Sequence, residues 1–142
     1  MDGKFYVIGG MSSPIVSLTC GEEYNIQTRT WRMICDMFLG GKRATHAPLL
    51  VVLVNNQLYV VEYCRNEVKK YNKENNTWDV LGRFPLRVDS TNGWGLTFRA
   101  CGNEIIVIGV QRGPEGECIV VNSWMRTSDV GRPIDWKFLV VK

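Results

Sequence analysis

Apolar residues in this chain fall in short runs set between polar turns. Three of the runs head the same kind of unit: Phe5-Tyr6-Val7-Ile8, Leu58-Tyr59-Val60-Val61 and Ile105-Ile106-Val107-Ile108. Each follows a polar turn, Asp2-Gly3-Lys4, Asn55-Asn56-Gln57 or Gly102-Asn103-Glu104, and the runs start 53 and 47 residues apart. A second marker repeats as well. Tyr24 precedes Trp31 by seven residues and Tyr71 precedes Trp78 by seven, with a displacement of 47 for both. No segment shows a convincing helical period. The runs are rich in Val, Ile, Tyr, Phe and Trp and bounded by Gly, Asn, Asp and Pro, which reads as strands.

The middle unit predicts four strands, near residues 49–54, 57–63, 67–71 and 77–81, in an antiparallel meander. The third predicts strands near 95–101, 104–109, 117–122 and 135–141, with 125–133 as an insertion. The first unit opens on what should be its second strand, 4–8, then runs through a loop at Ser12-Ser13-Pro14 to strands near 22–26 and 30–33. Its own first strand is missing, so the unit is expected to be a piece of a larger one or to borrow a strand from the C-terminal end. The first strands of units two and three are nearly unbroken apolar runs, expected to be buried on both faces. A period near 50 residues, with Gly9-Gly10 closing an apolar strand, is the period of propeller blades, sheets stacked side by side about an axis. The expected fold is therefore all-β: a partial propeller over residues 1–142, with about three four-stranded antiparallel blades at 2–38, 48–83 and 94–142, the first incomplete. Tyr24, Trp31, Tyr71 and Trp78 recur at one period and are expected to pack between blades. Three units do not close a ring, so the open blade faces predict self-association.

Composition narrows the function. Hydrophobic residues make up 45% of the 142, enough for a core, and the net charge is only +3. That charge is too small and too scattered for a nucleic-acid surface; Lys69, Lys70 and Lys73, diluted by Glu67 and Glu74, read as a solvated hairpin edge. The longest apolar run, Leu49 to Val54, is far short of the ~20 residues a membrane span needs, and no signal peptide is legible. An intracellular, soluble protein is expected. Cys20, Cys35, Cys64, Cys101 and Cys118 are odd in number and widely spaced, so neither zinc nor a disulfide framework is indicated, and buried or half-buried free thiols are expected. Asn75-Asn76-Thr77 reads as a turn.

Gly9-Gly10, Tyr24, Trp31, Tyr71 and Trp78 together resemble the kelch repeat. The segment Asp2 to Gly10 is its full form; Glu62-Tyr63 replaces the glycine pair in unit two, and only Gly109 survives in unit three. Asn92-Gly93-Trp94-Gly95-Leu96-Thr97-Phe98-Arg99-Ala100-Cys101-Gly102, with Ile105 to Gly109 and Asn122-Ser123-Trp124, resembles the C-terminal part of plant F-box/kelch-repeat proteins. In that family an F-box docks onto an Skp-type adaptor of a ubiquitin ligase, and the propeller recruits the protein to be ubiquitinated. The resemblance implies a protein-recognition module. No F-box is legible among these residues, so direct attachment to a ligase is not expected of them.

Candidate chemistry points the same way. His46 is the one histidine, which excludes a multi-histidine metal site and leaves a triad a single base. No acidic pair stands out, so no enzyme activity and no cofactor are expected. The runner-up reading is a small-ligand binder or enzyme at the channel mouth near Trp94. The loops between strands two and three, and those joining one blade to the next, open on one side of the meander. They carry Arg43, His46, Arg65, Arg87 and Arg112, the expected partner-binding residues. Arginine suits bidentate contact with a carboxylate or phosphate, so the expected partner is a protein with an acidic or phosphorylated segment.

Overall fold

The computed structural model describes residues 1–38, 49–63, 65–83, 96–112, 118–126 and 137–141, and only the backbone from residue 110 onward. Among the described residues the regular structure is strand alone. Blade one is a three-stranded antiparallel sheet of β1 (Lys4–Ile8), β4 (Gly21–Asn25) and β5 (Thr30–Ile34), in that order. Between β1 and β4 the chain makes a short hairpin of β2 (Met11–Ser13) and β3 (Val16–Ser17), where the sequence had suggested only a loop. Blade two is β6 (Leu50–Val54), β7 (Gln57–Glu62), β8 (Glu67–Asn72) and β9 (Thr77–Arg83); blade three is β10 (Thr97–Cys101), β11 (Glu104–Arg112), β12 (Cys118–Arg126) and β13 (Lys137–Val141). Both are four-stranded meanders in sequence order. The architecture is the expected one, an all-β partial propeller.

Turn chemistry sets the hairpins. Asn55 and Asn56 both adopt positive φ between β6 and β7, which fits a two-residue hairpin turn of the primed type. The turns after β4 and β8 are copies of each other. The Asn25 side chain accepts the backbone N–H of Gln27 and Thr28, and the Asn72 side chain accepts that of Glu74 and Asn75. Arg29 and Asn76 follow at φ 56° and 53°. Asn75-Asn76-Thr77 is thus a turn leading into β9, as expected.

Alternation along the strands sends one row of side chains to each neighbouring blade. Toward blade three, Val52, Val54, Tyr59, Val61 and Val68 pack with Phe98, Ile105 and Val107. Toward blade one, Leu58 and Tyr71 pack with Met1 and Met37, flanked by Tyr6, Ile8, Ile34, Val51 and Trp78. The first strands are less enclosed than their sequences suggest. Leu53 is exposed, and β10 buries Phe98 while Arg99, Ala100 and Cys101 are exposed. An apolar run reports what a strand can bury, and only the neighbouring sheet decides how much of it is covered.

A candidate partner-binding surface

The blade one–blade two junction is the frame on which any surface site rests. Its apolar centre is ringed by polar links. The Trp78 indole N–H donates to the Met37 carbonyl at 2.6 Å, and Asn76 Nδ2 donates to the Cys35 carbonyl at 2.7 Å. Asn76 Oδ1 in turn accepts the Tyr71 hydroxyl at 2.9 Å. At the other end Asp2 accepts Asn56 Nδ2 and Lys73 Nζ, each at 2.5 Å, and its backbone N–H donates back to Asn56 Oδ1. Lys73 and Asn56 hold the Asp2 carboxyl below its usual range. Gly21 has no room for a side chain: a Cβ there would fall on the Met37 sulfur.

Beside the junction lies a buried carboxylate. Glu23 is 3% exposed and accepts Lys4 Nζ at 2.7 Å, the Tyr6 hydroxyl at 2.6 Å and an Arg32 guanidinium nitrogen at 3.3 Å. Burial alone would raise its pKa. The three hydrogen bonds outweigh that and lower it to about 2. Burial, followed by the bond to this carboxylate, pushes Tyr6 well up. Tyr71 is raised chiefly by burial, with Arg32 opposing and Glu23 adding to the shift. Sequence reasoning missed this node, because its partners lie 19, 17 and 9 residues away along the chain.

Lys69 departs from expectation. It is 6% exposed rather than solvated, paired with Glu62 and, at 3.5 Å, with Glu67. The hairpin register sets Val60 opposite Lys69 and Glu62 opposite Glu67, so both carboxylates flank the amine. Two of the described thiols depart too: Cys35 and Cys101 are exposed, while Cys20 is half-buried as expected.

Blade one's outer face is the counterpart of the junction. Phe5, Val7, Trp31 and Met33 are all exposed there, Trp31 by 55%. Tyr24 and Trp31 are direct cross-strand partners in the same tilted contact as Tyr71 and Trp78. Trp78 packs between blades as expected; Trp31 does not, because among the described residues no sheet covers it.

The strand-two-to-strand-three end of the blades carries the candidate recognition loops. In blade one this end is the β2–β3 hairpin, tied down by Gly9 and Gly10. The Gly9 N–H donates to the Cys20 carbonyl at 3.0 Å, and the Leu18 N–H to the Gly10 carbonyl at 2.9 Å. Gly9 sits at φ +68° with a Phe38 ring atom 3.0 Å from where a Cβ would be, so glycine is required there. The hairpin tip raises Ile15, 82% exposed, between exposed Met11 and Val16. In blade two the same end is a tight turn carrying Arg65, whose Nε lies 3.5 Å from Glu62 while its side chain stays largely exposed. Arg112 closes β11 opposite Cys118, at the matching end of blade three. Arg43, His46, Arg87 and Trp94 lie outside the described residues. Of the predicted residues, the fold therefore sets Arg65 and the backbone of Arg112 at one end of successive sheets, the end that bears the Ile15 hairpin. No sequence rule singled out Ile15, which belongs to a segment with little alternation.

Side-by-side antiparallel sheets, repeated hairpin turns and a recurring Tyr–Trp pair fit a partial kelch propeller. A model of the kelch motif matches residues 1–37, blade one. Over 98% of its length the chain is similar to the F-box/kelch-repeat protein SKIP11 of Arabidopsis thaliana, at 47% identity. It is 45% identical to the F-box/kelch-repeat protein At1g26930 and 37% identical to At1g74510, both of the same plant, over 88% and 100% of this chain. It spans 31–35% of the length of these three relatives.

Proposed function

We propose that this chain is a protein-recognition module that works as the substrate-recruiting part of an F-box/kelch ubiquitin-ligase subunit. The observation that carries the reading is the similarity of nearly the whole chain to F-box/kelch-repeat proteins. The exposed hairpin and arginine-bearing turn at one end of the blades support it. Capture of the partner is a surface event, with loops held by rigid sheets. Arg65, with Arg43, His46, Arg87 and Arg112, supplies the cationic contacts, and the partner segment is acidic or phosphorylated. Ile15 supplies an apolar anchor beside them. The module acts inside the cell, where exposed free thiols such as Cys35 and Cys101 stay reduced. The uncovered face of blade one draws copies of the isolated chain together.

The test is affinity capture from plant extract with the intact chain, scored by quantitative mass spectrometry against variants. Changing Arg43, Arg65, Arg87 and Arg112 to alanine, or Ile15 to Asp, is expected to deplete the same set of bound proteins, with the melting temperature unchanged. Phosphatase treatment of the extract separates a phosphorylated partner from an acidic one. Retention of every bound protein by all of these variants defeats the reading.

A further inference from the structure

From Phe5 to Gly21 no side chain is acidic or basic, so the β2–β3 hairpin within this stretch is an uncharged finger. Its turn is Ser13-Pro14-Ile15-Val16, with Ser13 and Val16 paired across it. Of the five prolines in the chain, Pro14 alone follows a serine or threonine. Pro14 presets the turn and keeps Ser13 extended. The neighbouring hydroxyls are engaged. Ser12 Oγ donates to the Val16 carbonyl at 3.4 Å, Ser17 Oγ to the Met11 sulfur at 3.5 Å and Thr19 Oγ1 to the Asp36 carboxylate at 3.4 Å. Among the described residues the Ser13 hydroxyl has no such partner. The hairpin is bulged between Met11 and Ser13, and among the described strands β2 and β3 pair only with each other. A lone two-stranded hairpin is marginally stable, so opening it asks little of the blades. Met11, Ser12, Pro14, Ile15 and Val16 are exposed and Ser13 is half-buried, so an enzyme cleft reaches the segment from solution.

A serine followed by proline is a distinct chemical target. When a kinase closes on its substrate, the residue after the acceptor loses water from its backbone N–H. Proline has no N–H to leave unpaired, so a pocket that offers no acceptor there selects it. We propose that Ser13 is a phosphorylation site for a proline-directed serine/threonine kinase, and that the phosphate switches off capture through the Ile15 tip. The switch rests on the recognition reading given above; the site does not. The Ser13 oxygen attacks the γ-phosphorus of ATP. An oxygen–phosphorus bond forms, the bond from that phosphorus to the β–γ bridging oxygen breaks, and ADP leaves. The hydroxyl proton passes to the carboxylate base of the kinase. The product carries a charge of about −1.5 to −2 beside Ile15 on a segment that otherwise has none. An apolar pocket then closes on Ile15 only by stripping water from the phosphate, and an acidic partner segment is repelled.

The test uses the whole 142-residue chain, magnesium ATP and a purified mitogen-activated protein kinase. A single phosphate is expected, on Ser13 in the tryptic fragment from Phe5 to Arg29. Ser13→Ala and Pro14→Ala each abolish it, while Ser12→Ala and Ser17→Ala leave it. In affinity capture with phosphatase inhibitors present, phosphorylated wild type is expected to lose, several-fold, the proteins that Ile15→Asp also loses. Prior treatment of the bait with alkaline phosphatase restores them. Kinase-treated Ser13→Ala retains them, and the melting temperature is the same for all these chains. Absence of phosphate from Ser13 overturns the proposal. So does full retention of the Ile15-dependent proteins by phosphorylated chain. If Ile15→Asp itself loses no protein, the recognition reading fails and the switch with it, while phosphate on Ser13 upholds the modification site.

Discussion

The Tyr24–Trp31 and Tyr71–Trp78 pairs are one construction in two settings. Their ring centroids lie 4.9 and 5.0 Å apart with interplanar angles of 40° and 47°. Asn25 closes one hairpin as Asn72 closes the other. Trp78, however, reaches the Met37 carbonyl and lines the apolar junction, whereas Trp31 is 55% exposed. Geometry within each pair therefore comes from the hairpin's own register, and burial comes from whichever sheet lies alongside. A blade builds its docking face before anything docks.

The sharpest way to break this comparison is to remove each indole. Trp78→Ala is expected to destabilise the chain by about 3–4 kcal/mol in urea unfolding, since it opens a cavity and strands the Met37 carbonyl. Trp31→Ala should stay within about 0.5 kcal/mol, as for an exposed site. Equal losses would refute the idea that the neighbouring sheet sets the difference.

Acid offers a second separation. Glu23 belongs to blade one alone; 47 residues on, blade two has Lys70. Its folded pKa of about 2 lies below the ordinary 4.5. A depressed carboxyl stabilises the fold fully above the unfolded value and loses that contribution as pH falls toward the folded one. Roughly 3 kcal/mol should therefore disappear between about pH 4.5 and 2. Glu23→Gln should lower stability at neutral pH and flatten that stretch of the profile. An unchanged acid profile in Glu23→Gln would remove the node from the account.

Gly21→Ala tests the junction from blade one's side. Displacing the buried Met37 should cost about 1–3 kcal/mol by denaturant unfolding. The smallest effect on stability falls on the open face. Light scattering of the wild-type chain should show dimers or larger species, and Trp31→Lys with Met33→Lys should return it to monomer while leaving its melting temperature nearly unchanged. A monomeric wild type would mean that this face is not adhesive.

Much of the fold was legible because strand cores and turn residues are local signals. Apolar runs behind Asn- or Gly-bearing turns gave β1, β7 and β11, and the Tyr–Trp spacing gave the β4–β5 and β8–β9 hairpins. The β2–β3 hairpin was illegible, since Met-Ser-Ser-Pro-Ile-Val-Ser has no clean alternation and only a two-residue return strand. Lys69 looked like part of a charged edge because one of its two partners, Glu62, reaches it from the neighbouring strand across a hairpin. The Glu23 node was hidden for a related reason: Lys4, Tyr6 and Arg32 come from three strands and meet only when the sheet forms. The end of the blades that carries Arg65 was legible as topology, but the protrusion of Ile15 was not, because exposure is a property of neighbours.

One consequence follows from the way Asn25 and Asn72 clasp their own turns. Each clasp is complete within a few residues of chain and asks nothing of any distant strand. Such contacts close on the timescale of a lone hairpin, about 1–10 μs. Pairing between blades must wait for loop closures tens of residues long. The β4–β5 and β8–β9 hairpins should thus be the earliest ordered parts of a chain emerging during synthesis, ready-made ribbons on which the rest assembles.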